Sequence, residues 1–277
     1  MASLKTAIVE DFSHIYTSIK FEMQKHLKRK RLVIGLLLAT AIPVLFYIIP
    51  KLWDVGFIGT PELFLSTNLS FINILIIISS ALFAGDAVSG EFERKTALLT
   101  FPTPQRRISI FVGKYCAALI AVSVLVSLYY LITMVEVMVI HGVNSVPQEI
   151  FTSYLLALLY GCSVLSLTFF FSSVLKGVIS STLMGFFTLM MILPILSTLL
   201  MVARIEPWFI VTYAGGLITT VFGSPVGTGM TLGGGPPEGQ MFTLYQPDFT
   251  IGVAIMALYA LLFFISSIVL AKRKDVE

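Results

Sequence analysis

Charge is scarce in this sequence. Asp, Glu, Lys and Arg make up 12% of its 277 residues against 57% hydrophobic ones, and the mean hydropathy is +0.94. So few charges cannot clothe a soluble domain, and the bilayer is therefore the solvent. Cysteine is limited to Cys116 and Cys162, both inside apolar runs. That excludes a disulfide framework or a thiolate metal site and leaves both as packing or lipid-facing residues. The three histidines, His14, His26 and His141, are scattered and form no H-E-x-x-H, which argues against an intramembrane metalloenzyme. No G-x-x-x-x-G-K-[ST] occurs, and the nearest piece, Gly113-Lys114-Tyr115, lacks the hydroxyl residue that would hold magnesium. The chain is therefore expected to be no ATPase, with no catalytic residue, no metal and no cofactor of its own. A net charge of +3, placed beside apolar runs, does not fit nucleic-acid binding. The start carries no cleavable signal: residues 1–31 read as polar and amphipathic, and the first span is expected to be its own anchor.

What is present in quantity is the long apolar run. A spanning helix needs roughly 20 apolar residues to cross about 30 Å of hydrocarbon, and a barrel would show short alternating segments instead. The runs here are continuous, so the expected fold is an all-α polytopic membrane protein, one transmembrane domain over 1–277. About six spans fall near 32–49, 63–84, 108–140, 151–175, 178–202 and 250–270, with Pro50 closing the first. Before them, Leu4, Ile8, Phe12, Ile15, Ile19 and Met23 recur at helical spacing among polar residues. This predicts an amphipathic interfacial helix leading into a basic cluster, Lys25, Lys28, Arg29, Lys30 and Arg31, suited to anionic headgroups. Of the 18 lysines and arginines, only Lys51 and Arg204 fall on the side opposite that cluster. The positive-inside rule then puts both termini in the cytoplasm of a cell membrane.

Within the spans no ionisable residue is central, which argues against proton- or ion-coupled transport. Lys114, Glu136 and Lys176 lie toward span ends, where snorkelling accounts for them. Gly177, Ser181 and Gly185 form a small-residue stripe for helix packing, and Pro43 and Pro194 are expected to kink spans one and five. Asn68-Leu69-Ser70 matches a glycosylation sequon but opens the second span, and carries no weight. Two segments outside the bilayer are long: an inner loop, 85–107, and an outer one, 203–249, with Gly233, Gly234, Gly235, Pro236 and Pro237 at its centre and an apolar part, Trp208 to Phe222, that could dip into the outer leaflet.

The inner loop reads Gly85-Asp86-Ala87-Val88-Ser89-Gly90-Glu91-Phe92-Glu93-Arg94-Lys95-Thr96, then Ala97-Leu98-Leu99-Thr100 and Phe101-Pro102-Thr103-Pro104 before Arg106 and Arg107. It has the grammar of a short helix. Asp86 and Ser89 can cap, Glu91 and Glu93 sit near the positive end of the helix dipole, Arg94 and Lys95 follow, and Pro102 stops it. Phe92, Thr96 and Leu99 share one face. This segment resembles the first cytoplasmic loop of the ABC type-2 permeases, whose signature runs approximately D-x-[IV]-[SA]-x-E-x-E-R-x-T-L before a proline and a basic pair. Asp86, Val88, Ser89, Glu91, Glu93, Arg94 and Thr96 match it, while Lys95 and Ala97 depart from it. Ser172-Ser173-Val174-Leu175-Lys176 is similar, less specifically, to that family's turn between spans four and five.

The resemblance implies that the loop is a coupling helix, with Asp86, Ser89, Glu91, Phe92, Glu93, Arg94 and Thr96 serving a cytosolic ATPase that binds ATP and magnesium. It implies a permease subunit of an exporter, paired with a second permease copy, identical or related. Glu91 and Arg94 are then expected to stand out from the membrane, toward that ATPase. Two rivals are an ATP-independent secondary transporter or channel, and a membrane assembly protein without transport activity. The cargo cannot be read from the residues.

Overall fold

The structure is a computed structural model describing residues 2–53, 59–93, 107–223 and 245–273; for residues 2–12, 107, 272 and 273 only the backbone is described. It is helical throughout, with no strand among the described residues. α1 is Ala2–Lys28, and α2, Arg31–Leu52, is the first membrane-length helix. The second span is α3, Pro61–Leu69, followed directly by α4, Ile72–Ala84, and the short α5, Ser89–Glu93. The third is α6, Arg107–His141, and the fourth α7, Glu149–Val174. The fifth combines α8, Val178–Phe187, a π-turn over Thr188–Ile192, and α9, Leu193–Val202. Two short helices, α10 at Val211–Ala214 and α11 at Leu217–Thr220, precede α12, Phe249–Arg273. Six helical stretches are long and apolar enough to cross a membrane, as the hydropathy pattern predicts.

One local outcome differs from the sequence expectation, and two others add detail to it. Pro50 does not end the first span, because α2 carries both Pro43 and Pro50 inside it and continues to Leu52. Ahead of Pro194 the helix widens into the π-turn, the known way to accommodate the bond that proline cannot donate. Trp208 to Phe222 turns inward: Ile210, Val211, Tyr213, Ala214, Leu217 and Ile218 are all buried. α10 and α11 are folded into the bundle against α3, α7 and α12. The glycine-rich centre of that loop, including Gly233 to Gly235, lies outside the described residues.

α7 is the pillar. Lipid offers no partners for polar groups, so its hydroxyls bond either back to their own helix, as Thr168 does to the Val164 carbonyl, or across to other helices. Ser153 donates to the Ile218 carbonyl and Ser163 to the Met256 carbonyl, both at 2.7 Å. Ser166 lies 2.9 Å from the Tyr115 hydroxyl on α6. These bonds run down one helix and tie α11, α12 and α6 to it.

α1 packs along α6, and glycine sets how closely. A Cβ added at Gly113 would stand 2.5 Å from the Ser18 Cβ and 3.2 Å from the Ile15 carbonyl. Gly113→Val is therefore expected to loosen α1 by about 1–3 kcal/mol, the usual cost of overpacking. In a background lacking Cys116 and Cys162, a cysteine at Ser18 should react faster with a water-soluble maleimide in the Gly113→Val protein than in the parent. Equal rates would show that the contact does not hold α1.

Candidate functional site: a buried charge cluster beneath α5

The residues between α4 and α6 that the motif singles out are held from two sides. On one side lies the α7–α8 turn. Val88 and Ser89 donate their backbone N–H groups to the Ser172 Oγ at 3.0 and 3.1 Å, which caps the start of α5 from a neighbouring helix. The Ser89 Oγ is 2.8 Å from that of Ser181, which donates to the Gly85 carbonyl at 2.7 Å. Glu93 accepts from the Val178 N–H at the first turn of α8, reciprocating the cap. The small-residue stripe is used here: Ser181 supplies the bond, and a Cβ on Gly185 would stand 3.1 Å from Thr168.

On the other side lie α1 and the start of α2. The Lys114 ammonium, 3% exposed, sits between the Glu22 and Glu91 carboxylates, 2.8 Å from the latter. Lys25 also pairs with Glu22 at 2.8 Å. Asp86 is taken by two arginines: Arg31 meets it through both guanidinium branches, at 2.6 and 2.8 Å, and Arg29 at 3.3 Å. Arg31 donates in addition to the Leu82 carbonyl. Between the two groups His26, 3% exposed, packs edge-on against Phe83.

This geometry revises two expectations. Lys114 does not snorkel; its charge is turned inward to two carboxylates. Glu91 does not stand out toward solvent, because Lys114 draws it under the loop and leaves it half-buried, and Asp86 and Ser89 are buried. Phe92 is half-buried and packed on the core. Of the basic cluster, Lys25, Arg29 and Arg31 are engaged in ion pairs, while Lys28 and Lys30 are exposed. Arg94 and Thr96 lie outside the described residues. The partners that the motif did not name are Glu22, His26 and Lys114. Glu22 and Lys114 were legible only as opposite charges on two helices, with no spacing to bring them together.

Among the described residues no group of three or more metal-ligating side chains occurs. A bundle with six membrane-length apolar helices, its ionised groups paired inside, defines a multi-pass integral membrane protein. The chain belongs to the family described as "Protein of unknown function (DUF2705)", whose model matches residues 30–277, all but α1 and its first flanking residues. No curated protein matches it.

Protonation of the α1 residues follows from their surroundings. Burial pushes the Glu22 carboxyl up, but Lys114 and Lys25 outweigh it and hold it below the ordinary 4.5. Burial depresses His26 from 6.5 to about 4. From 6.5 down to about 4 the unfolded chain takes up a proton at His26 that the folded chain refuses, so stability falls as pH drops through that window. Glu22 contributes stability above 4.5 that is lost as pH falls through its lower folded value. Thermal unfolding in nanodiscs should therefore show a melting temperature that declines from neutral pH toward 4, and His26→Phe should flatten the upper part of the decline. An identical pH profile in His26→Phe would contradict this reading.

Proposed function

We propose that the chain is the membrane-spanning permease subunit of an ABC transporter of the exporter type, coupled to separate ATPase subunits that bind ATP and magnesium. The observation that carries this reading is the seating of the Gly85–Glu93 segment. It is a short helix at one end of the bundle, stitched to the α7–α8 turn by Ser172, Ser181 and Glu93 and to α1 by Lys114. A segment clamped on both flanks can pass a push to four helices at once, as a coupling helix must. In this reading α1 is the amphipathic interfacial helix, α5 begins the coupling helix, and both termini are cytoplasmic. Two permease copies, identical or related, form the pathway. Because Asp86 and Ser89 are buried and Glu91 is half-buried against Lys114, their part is to position the coupling element. The ATPase would meet Arg94, Thr96 and the residues near them, with exposed Lys28 and Lys30 alongside.

The test is biochemical. The purified chain should hydrolyse no ATP, and should co-purify with a soluble ABC ATPase when both are expressed. Arg94→Glu should weaken that association by about 2–5 kcal/mol if the charge is buried at the interface and by far less at its rim. Membrane insertion should be unaffected. A cysteine at Gly234 should be labelled from outside intact cells, and one at either terminus only after lysis. ATP hydrolysis by the chain alone, or full association and stimulated hydrolysis in Arg94→Glu, would count against the proposal. A second reading, an ion-coupled carrier that needs no ATP, draws support from one observation. Glu136 is a carboxylate buried inside the bundle rather than snorkelled. Cargo movement by the chain alone in vesicles without ATP would favour it.

A further inference from the structure

Lys114 and Glu136 lie 22 residues apart on α6, which at 1.5 Å per residue is roughly 33 Å, about the thickness of the hydrocarbon layer. They bracket the membrane at opposite ends, and both are turned inward. Their surroundings differ. Lys114 has two carboxylates, whereas Glu136, 7% exposed, has one neutral donor: the Asn68 side-chain amide, 3.1 Å from Oε2. Its Oε1 is buried with no partner.

Asn68 stands in the last turn of α3, where the second span breaks. Its backbone carbonyl accepts from the Phe71 N–H and from the Tyr129 hydroxyl instead of continuing a regular helix into α4. Its side-chain oxygen faces the Tyr129 hydroxyl at 2.8 Å and that of Thr133 at 3.4 Å. In this orientation the amide oxygen faces the two hydroxyls and the NH₂ faces Glu136. Among the described residues no cation reaches the carboxyl. The elements packed around it bring the titratable groups Tyr129, Tyr130 and His141 from α6, Glu62 from α3, Glu149 from α7 and Lys51 from α2. Lys51 lies over the Tyr47 ring instead, 5.6 Å from its centre. An ionised carboxylate buried with one amide donor and no counter-ion is unfavourable, and the economical remedy is to hold a proton. The amide N–H already donates to Oε2, so the proton belongs on Oε1.

We propose that Glu136 is a proton-binding site tied to the break in the second span: the carboxyl is neutral while α3 is docked on α6, and it releases its proton to water when that contact opens. The proton passes to a water molecule and leaves a carboxylate, with no other bond made or broken. Because Asn68 bridges the break and the carboxyl, opening of α3 and loss of the proton are one linked event. The site stands apart from the α5 cluster and does not depend on the ATPase reading.

The test uses the full chain in lipid nanodiscs. Infrared difference spectra between neutral and alkaline pH should show a protonated-carboxyl C=O band at neutral pH that vanishes on alkalinisation and is missing from Glu136→Gln. In a background without Cys116 and Cys162, a cysteine at the buried Ser66 of α3 should label slowly at neutral pH. Above the titration midpoint its labelling should rise by up to about tenfold per pH unit, the limit for one linked proton, after correction for the reagent's own pH dependence on an exposed cysteine. The rise should be absent in Glu136→Gln. Should Glu136→Gln fail to fold, Asn68→Leu provides a second arm: removing the donor should shift the band's disappearance to higher pH. The proposal is overturned if the wild type shows no such band at neutral pH, if the band survives Glu136→Gln, if labelling keeps its pH dependence in that variant, or if Asn68→Leu leaves the midpoint unchanged.

Discussion

One ammonium group organises an entire end of this molecule. Lys114 is carried by α6 at the depth where the apolar stretch begins, 3% exposed. A charge in such a place is tolerable only with opposite charge within ion-pair distance. Glu22 from α1 and Glu91 from α5 supply it, and by doing so they fix two elements that have no membrane-length apolar run of their own. Asp86 does the same in reverse, one carboxylate holding Arg29 and Arg31 at the start of α2. The helices α1, α2, α5 and α6 are thus joined by charge where hydrophobic burial has little to offer, since lipid is as apolar as a side chain.

The remainder of the bundle obeys the same constraint with weaker groups. Serines on α7 reach carbonyls and hydroxyls on α6, α11 and α12, and serines at the α7–α8 turn satisfy the start of α5. Each such bond contributes modestly, about 0.6 kcal/mol on average in membranes, but each also specifies which neighbour sits where. The close approaches at Gly113 and Gly185 complete the packing where a side chain would intrude. Among the described residues Glu136 is where the constraint is met by no charge, which sets it apart from the cluster at the other end.

The number of membrane-length helices was legible because it depends on run length alone: twenty-odd apolar residues have few alternatives in lipid. Pro50 misled on detail because a proline's effect depends on whether the helix around it can continue, which composition does not encode. The loop motif located Asp86, Ser89 and Glu91, yet their burial was hidden. A charged residue between two spans reads as solvated unless its partner is known, and Arg31 lies 55 positions from Asp86 and Lys114 23 positions from Glu91 along the chain. Likewise Lys114 and Glu136 near span ends read as snorkelling residues, because sequence gives depth in the membrane but not the direction a side chain takes.

The account rests on Lys114 and its two carboxylates, and unfolding of three proteins in nanodiscs tests it most directly: wild type, Lys114→Met, and Lys114→Met combined with Glu22→Gln and Glu91→Gln. Removing the lysine alone leaves Glu22 with Lys25 only and takes the Lys114 ion pair from Glu91, and should cost about 3–5 kcal/mol. Neutralising both carboxylates as well should recover a large part of that loss. A Lys114→Met protein as stable as wild type, or a triple variant no better than the single one, would contradict the view that this buried charge holds α1 and α5 in place.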